Sequence, residues 1–354
     1  MNKHNRKLPF YAKLAYTLVA IIALVYIAIL SKPLLAPLVF GFLFAILLYP
    51  VSRYLENKIN LPRGLSSFLS ILLFLSFLTL LFWLLGSRFV SLADDWPLFK
   101  EQIIVSVQSL QDWIVDTFHV DKSSQSNYLT DAAKSLLSSS TIVIGTTIRS
   151  ITSLLFFLIF TFIFIFFILF YRRLIVNFLA MVFPDGHRPI VEKVLRRILY
   201  IIRRYVLGII LQIIFIGFVT SITFLIIGIK YPVLLGILTG VLNVIPYVGI
   251  FMSGLIASLV VFATTGTFVK IFAVIIALTL IHLTDSNVFL PLVVGSQVQV
   301  NAFITVLAIF SGEMIWGIAG MFLAIPVAAV LKVVFDHVPD LNPWGYLMGD
   351  DKKR

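Results

Sequence analysis

Apolar residues run along this chain in long uninterrupted blocks, with polar and charged residues gathered between them rather than alternating with them. Stretches 65–85, 151–171 and 205–229 each reach the roughly 20 residues that a helix needs to cross a bilayer core. Read block by block, the pattern predicts helices at 12–31, 33–50, 64–88, 146–171, 205–229, 232–262, 268–284 and 302–335, with 232–262 open as one crossing or a hairpin and 302–335 long enough to contain a break. The expected fold is an all-α polytopic integral membrane protein of about eight transmembrane helices. Broken or re-entrant helices are expected in its C-terminal third, with a helical extracytoplasmic insertion earlier in the chain.

The segments between the blocks set the expected orientation, because short loops rich in Lys and Arg stay in the cytoplasm. Lys3, Arg6, Lys7 and Lys13 precede the first block, and Arg53, Lys58 and Arg63 follow the second, so both places are expected inside. The first block reads as an anchor rather than a secretory signal: it is long, no small-x-small cleavage site follows, and Lys32, Pro33 and more apolar sequence come next. Segment 87–149 holds seven acids (Asp94, Asp95, Glu101, Asp112, Asp116, Asp121, Asp131) against five bases and is expected outside. Within it Phe99, Ile103, Val107, Leu110, Ile114 and Phe118 recur at helical spacing. Segment 172–204 carries eight bases against Asp185 and Glu192, the strongest inside signal. There Lys193, Arg196, Arg197, Arg203 and Arg204 fill one half of a helical wheel and Ile190, Val191, Val194, Leu195, Ile198 and Ile202 the other, as in a helix lying on anionic headgroups.

This divides the chain into N-terminal membrane helices (1–92), the polar insertion (93–145), a Phe-rich transmembrane helix (146–172), the basic amphipathic helix (173–204), a Gly/Pro-broken core (205–336) and a cytoplasmic tail (337–354). The Phe-rich helix, with eight phenylalanines from Phe156 to Phe170, is expected against lipid or a second subunit and carries no chemistry. In the core, Gly240, Pro246, Gly249, Pro291, Gly295, Gly320 and Pro326 are the expected hinges or helix breaks. Broken backbone survives at membrane depth only where protein or a water-filled cavity covers it, which makes such segments pointers to a transport site.

Composition narrows the chemistry. Only 12% of the 354 residues are charged and 60% are apolar, which excludes a soluble globular protein. The absence of cysteine excludes disulfides, thiolate metal sites and cysteine nucleophiles. A net charge of +11 is accounted for by the basic loops, so nucleic acid is not an expected partner. No zinc, nucleophile-elbow, phosphate-loop or intramembrane aspartyl protease motif occurs; no catalytic residue, metal or cofactor is expected, and the chain reads as a non-enzyme.

Ionisable residues inside apolar blocks cost about 2.5–3.5 kcal/mol on insertion scales and default to functional hypotheses. Asp285, in the polar cluster His282-Leu283-Thr284-Asp285-Ser286-Asn287, is the first candidate. Desolvation there disfavours a permanent charge, a property that suits a proton-coupled carrier; the alternative is a helix cap or a structural hydrogen-bond hub. Glu313 reads as a pathway contact or as a residue near a loop. His282 reads as a neutral imidazole bonding a nearby carbonyl rather than as a relay. Gln212, Asn243 and Asn287 add uncharged groups for a solute or ion pathway, with helix-to-helix bonding the alternative for Gln212.

The run Gly228-Ile229-Lys230-Tyr231-Pro232, then Gly236, Gly240 and Ile245-Pro246-Tyr247-Val248-Gly249, resembles the signature of the autoinducer-2 exporter family. Asp285-Ser286-Asn287-Val288 with Pro291 and Gly295 resembles that family's acidic-Gly-Asn segment, and Gly312-Glu313, Gly317, Gly320 and Ile325-Pro326 continue the match. Pro37 through Tyr49-Pro50, and Arg204-Tyr205 with Gly208 and Gln212, fit as well. Ser286, Ile250 and Asn301-Ala302 depart from its common residues, which bears on substrate rather than fold. The basic N-terminus, and Lys332 ahead of the tail, place both termini in the cytoplasm; the resemblance implies a homo-oligomeric transporter of the bacterial inner membrane with about eight helices. Its expected partners are membrane lipids, autoinducer-2 or a similar small polar solute, and H+ or Na+, with an elevator-like movement. An Na+(Li+)/H+ antiporter is the alternative within transport, and a non-transporting membrane scaffold the alternative outside it.

Overall fold

The computed structural model describes residues 9–94, 140–184, 186, 188–245, 248–265, 267–293 and 300–349, and among them there is no strand. The expected amphipathic helix of the insertion, Pro246, Gly295 and the charged tail lie outside the described residues. The helices are α1 (Phe10–Leu30), α2 (Lys32–Lys58), α3 (Arg63–Asp94), α4 (Ser140–Met181), α5 (Arg188–Ile227), α6 (Pro232–Leu242), α7 (Val248–Thr265), α8 (Phe268–Thr284), α9 (Leu290–Val293), α10 (Ala302–Trp316), α11 (Ile318–His337) and α12 (Asn342–Met348). Seven helices among the described residues are long and apolar enough to span a membrane, and Leu14–Leu30, Pro232–Leu242 and Ala302–Trp316 are shorter apolar helices. Their outer surfaces suit hydrocarbon and not water: Phe82, Trp83, Leu174, Phe218 and Ile226 are all more than half exposed. The protein is an all-α, multi-pass membrane protein.

Two helices outrun the bilayer. With 42 and 40 residues, α4 and α5 are about 60 Å long, twice the roughly 30 Å of a hydrocarbon core. The basic stretch and the apolar stretch that the sequence separates at 204 belong to one uninterrupted helix, α5. Arg is a good helix former, and between Pro189 and Gly208 nothing breaks the turn.

The chain forms two compact units, one from 1–45, 157–198 and 299–354, the other from 46–156 and 199–298. In the first, Phe40 stacks on Phe322 with centroids 5.3 Å apart and meets Phe157 edge-on at 5.4 Å. Trp316 Nε1 donates to the Ala28 carbonyl at 2.9 Å, joining α1 to the end of α10. Helices α10 and α11, expected as one crossing over 302–335, are two helices that reverse at Gly317, which has φ 67°. This also corrects the expected breaks: Gly320 and Pro326 lie inside α11, both buried. Gly320 is instead a contact point, since a Cβ there would lie 2.6 Å from the Gly312 carbonyl carbon. Two antiparallel helices touch backbone to backbone at this pair.

Asn301 begins this hairpin. Its Oδ1 accepts from the Ile304 N–H at 2.9 Å as an N-cap, while Nδ2 donates to the carbonyls of Leu347 at 2.7 Å and Gly349 at 3.0 Å. One side chain therefore both starts α10 and fastens α12 to it. Asn301→Ala should cost about 1–2 kcal/mol, seen as a lower thermal midpoint of the detergent-purified protein, whereas an unchanged midpoint would mean that α12 is held by other contacts.

The second unit is centred on Phe224, Ile229, Leu235, Ala257, Val261, Val274 and Leu278, a buried cluster fed by α5, α6, α7 and α8. Leu235 of α6 shares this cluster with Ala257 and Val261 of α7, and the two helices pack on each other. The segment 232–262, whose Gly and Pro spacing permits either one crossing or a hairpin, is thus a helical hairpin. Its first arm has 11 residues and spans about 16 Å, half of what crossing requires.

Candidate functional site

Asp285 closes α8 and opens a π-helical turn, Asp285–Phe289, that runs into α9. The cause is in the sequence: Pro291 has no N–H to give the carbonyl four residues earlier and its ring crowds it, so the chain widens ahead of the proline. Pro291, an expected break, therefore sits just past the irregular turn, as the second residue of α9.

The widened turn presents Asp285 to two other helices. Only 2% of the residue is exposed. Its Oδ2 accepts from Gln212 Nε2 of α5 at 2.6 Å and from Asn243 Nδ2, at the C-cap of α6, at a long 3.5 Å. Its Oδ1 is buried with no hydrogen-bond partner among the described residues. The structure thus brings together Asp285, Gln212 and Asn243, three of the five pathway residues named from the sequence. Asn287 is exposed on the same turn and donates to the Leu283 carbonyl at 2.8 Å. Glu313 is exposed near the end of α10 and belongs to the other unit.

What sets Asn243 beside Gln212 is a seam of small residues between α5 and α6. A Cβ on Gly236 would lie 2.7 Å from the Gly217 carbonyl oxygen, and one on Gly240 would lie 2.5 Å from that of Ile213. Real Cβ atoms do not approach so closely, so both positions admit only glycine at this helix spacing. Gly240 is therefore a packing contact within α6, and Gly249 similarly packs the first turn of α7 on the Leu242 carbonyl. Gly236→Val should force the helices apart at a cost of about 1–3 kcal/mol. The check is the thermal midpoint together with solute flux, both of which should fall, since Asn243 rides on the displaced helix.

One feature escaped the sequence reading. Phe215 of α5 stacks on Phe289 of the π turn, centroids 4.2 Å apart and planes 6° from parallel, one helix turn from Gln212 and from Asp285 respectively. Their positions, three residues after Gln212 and four after Asp285, were the available signal. His282, expected to bond a neighbouring carbonyl, has its Nδ1 buried without a partner among the described residues, and its Nε2 lies 3.4 Å from Ser286 Oγ.

Chemically, this is a carboxyl removed from water, with no Lys or Arg paired to it among the described residues. One short charge-assisted bond contributes about 1.5–3 kcal/mol, comparable to the insertion cost of the charge. The amides therefore hold the carboxyl in place, while Oδ1 remains able to take up a proton or a small cation. Among the described residues no three His, Asp or Glu side chains gather as a metal site.

Fold and site together define a multi-pass membrane protein with a buried acid held between helices at a break in one of them. Comparison with known proteins specifies which kind. The model of the family described as AI-2E family transporter matches residues 17–340, and the chain belongs to that family of membrane transporters. It is 27% identical over 324 residues to "Putative transport protein YueF" of Bacillus subtilis (strain 168), covering 89% of this chain and 86% of that one. With "Putative transport protein YrrI" of the same organism it shares 35% identity over 133 residues, 38% of this chain and 37% of that protein, so this match spans little more than a third of either. "Putative permease PerM" of Escherichia coli (strain K12) is 25% identical over 139 residues, 39% of each chain.

Proposed function

We propose that this transporter is a secondary carrier of the bacterial inner membrane that exports autoinducer-2 or a similar small polar solute, driven by an ion that binds at Asp285. The observation that carries this reading is the buried Asp285 carboxyl, fixed by amides from α5 and α6 with one oxygen unsatisfied. A carrier needs a group that is occupied on one side of the membrane and emptied on the other, and an intramembrane acid at a helix break suits that task.

In this reading Gln212 and Asn243 position the acid, Asn287 and Glu313 contact solute or ion along the path, and 205–336 forms the moving core. Movement is elevator-like, with the hairpin α6–α7 carried as a block. The basic face of α5, Lys193 through Arg204, rests among anionic headgroups, and both chain termini are cytoplasmic. Copies of the chain associate through apolar helix faces such as that of Phe156, Phe160 and Phe167.

Oδ1 of Asp285 equally supports a second reading, a monovalent cation/proton antiporter in which the same oxygen alternates between H+ and Na+ or Li+. Uptake of autoinducer-2 into inverted vesicles holding the purified protein, with and without an imposed proton gradient, separates the two. Gradient-dependent accumulation supports the exporter. Its absence, with Na+-driven proton movement in the same vesicles, supports the antiporter.

A further inference from the structure

Within the second unit, α5 and α8 are fastened to each other at two levels, and this fixes how deep the acid sits. At one level Lys270 Nζ donates to the Gly228 carbonyl at 3.2 Å; at the other Gln212 Nε2 donates to Asp285. On either helix the two fastenings are about 15 residues apart, or about 22 Å at 1.5 Å per residue. Asp285 therefore lies about 22 Å in from the Gly228 end of α5, well over half of a roughly 30 Å hydrocarbon core. In the other direction α5 runs unbroken from Gln212 to the exposed Arg203 and Arg204, about 12 Å away. The acid is nearer the basic end.

What α8 exposes changes at this depth. Phe272, Ile276, Leu280 and Leu283, spaced along one face, are each more than half exposed and suit lipid. Just beyond them the exposed residues are Ser286 and Asn287, in the irregular turn Asp285–Phe289. Ser286 Oγ has His282 Nε2 at 3.4 Å; Asn287 donates to the Leu283 carbonyl, and among the described residues its Oδ1 accepts no hydrogen bond. Irregular backbone and unpaired amides at membrane depth survive where protein or water covers them, not against hydrocarbon. Beside them, Asp285 Oδ1 is buried without a partner among the described residues. Toward Gly228, by contrast, Phe224 of α5 shares one buried cluster with Val274 and Leu278 of α8, an apolar seal on that side.

We propose that Ser286 and Asn287 form the entrance to Asp285, a water-filled opening that faces the Arg204 end of α5. The inference rests on the carrier reading above and adds to it the side of entry and a role for Ser286. Basic residues stay in the cytoplasm, so the opening faces the compartment from which an exporter loads. A hydroxyl and an amide oxygen, both uncharged, can replace part of the hydration shell of a small hydroxylated solute on its way to the acid. The apolar cluster of Phe224, Val274 and Leu278 keeps the outer side closed while the entrance is open.

The chain contains no cysteine, so single thiols report on it without background. Ser286→Cys, Asn287→Cys, Leu280→Cys on the lipid stripe and Arg203→Cys at the basic end are each treated with a charged, membrane-impermeant methanethiosulfonate. Inverted and right-side-out vesicles are compared, and matched thermal midpoints show that each variant is folded. The reagent attacks the thiolate, which forms in water and not in hydrocarbon, so positions 286 and 287 should react about tenfold or more faster than 280. They should do so in vesicles of the orientation in which position 203 reacts. Rates no faster than at 280, or reaction only in vesicles of the opposite orientation, overturn the entrance. Reaction that appears only after detergent separates copies of the chain means a subunit contact and overturns it too. Labelling as expected in a protein that accumulates no autoinducer-2 supports the entrance and removes only the assigned cargo. Accumulation with unreactive thiols removes the entrance and keeps the carrier.

Discussion

Asp285→Asn should leave a protein that inserts, folds and binds the membrane as before, yet no longer accumulates autoinducer-2 against a gradient. The substitution preserves volume, and the amide oxygen of Asn can still accept the Gln212 hydrogen bond that the carboxylate Oδ2 accepts at 2.6 Å. What disappears is the ability to gain and lose a charge in a place where only 2% of the residue is exposed. Imposed proton gradients should then drive no accumulation, and the internal solute should rise no further than equilibration with the outside. Inverted vesicles prepared side by side from both proteins give the comparison, with matched thermal midpoints showing intact structure. Undiminished gradient-driven uptake in the variant would remove Asp285 from the coupling mechanism.

Gly320→Leu should have the larger effect on the protein itself. The hairpin of α10 and α11 closes at Gly317, and three residues later Gly320 meets Gly312 so closely that even a Cβ would intrude on the Gly312 backbone. A flexible side chain can move aside, but a helix backbone cannot, so the two helices would have to separate along their length. Overpacking of a well-packed core costs about 1–3 kcal/mol per site and more where nothing can yield, and this is a sizeable fraction of the 5–15 kcal/mol that holds a typical domain folded. The expected outcome is loss of the monodisperse peak when detergent-extracted protein is run on a sizing column. Ile318→Leu, at a position 70% exposed on the same helix, should leave that peak unchanged. A well-folded Gly320→Leu protein would mean that the hairpin tolerates a wider spacing.

Much of this architecture was open to reading from the chain, because hydropathy reports length in lipid directly. The blocks for α1 and α8 fall close to where the helices are, while α2 and α3 run on past the expected ends at 50 and 88, and Asp285 stood out because an acid amid so much apolar sequence is costly. The place of the second reversal, at Gly317, was hidden for a definite reason. Trp316 and Ile318 flank the reversal at Gly317 with apolar side chains, so a hydropathy profile passes over it as though the helix continued. Glycine marks the broken region but not the exact turn, since it serves two purposes here: positive φ at Gly317 and close approach at Gly320. Pro326 stays within its helix at the loss of one backbone hydrogen bond, as membrane helices tolerate when neighbours cover the gap. The partners of Asp285 lie 73 and 42 residues away along the chain, and no local spacing connects them. Gln212 and Asn243 could be singled out as polar residues in apolar helices, but only the tertiary packing of glycines between α5 and α6 joins them to the acid.

The shortness of α6 also bears on how the protein is made. Its 11 residues fall well below the roughly 17–25 at which an apolar segment partitions into a bilayer as a helix on its own. As the chain emerges from the ribosome, α6 therefore has no stable place in the membrane until a neighbour provides one. That neighbour is α5, synthesised just before it and carrying Gly217 and Ser221, against which Gly236 packs. Insertion of the hairpin is then a docking step, completed as α7 and α8 arrive. A mutation along this seam should act during biogenesis, leaving the hairpin exposed to quality-control proteases before any transport cycle begins.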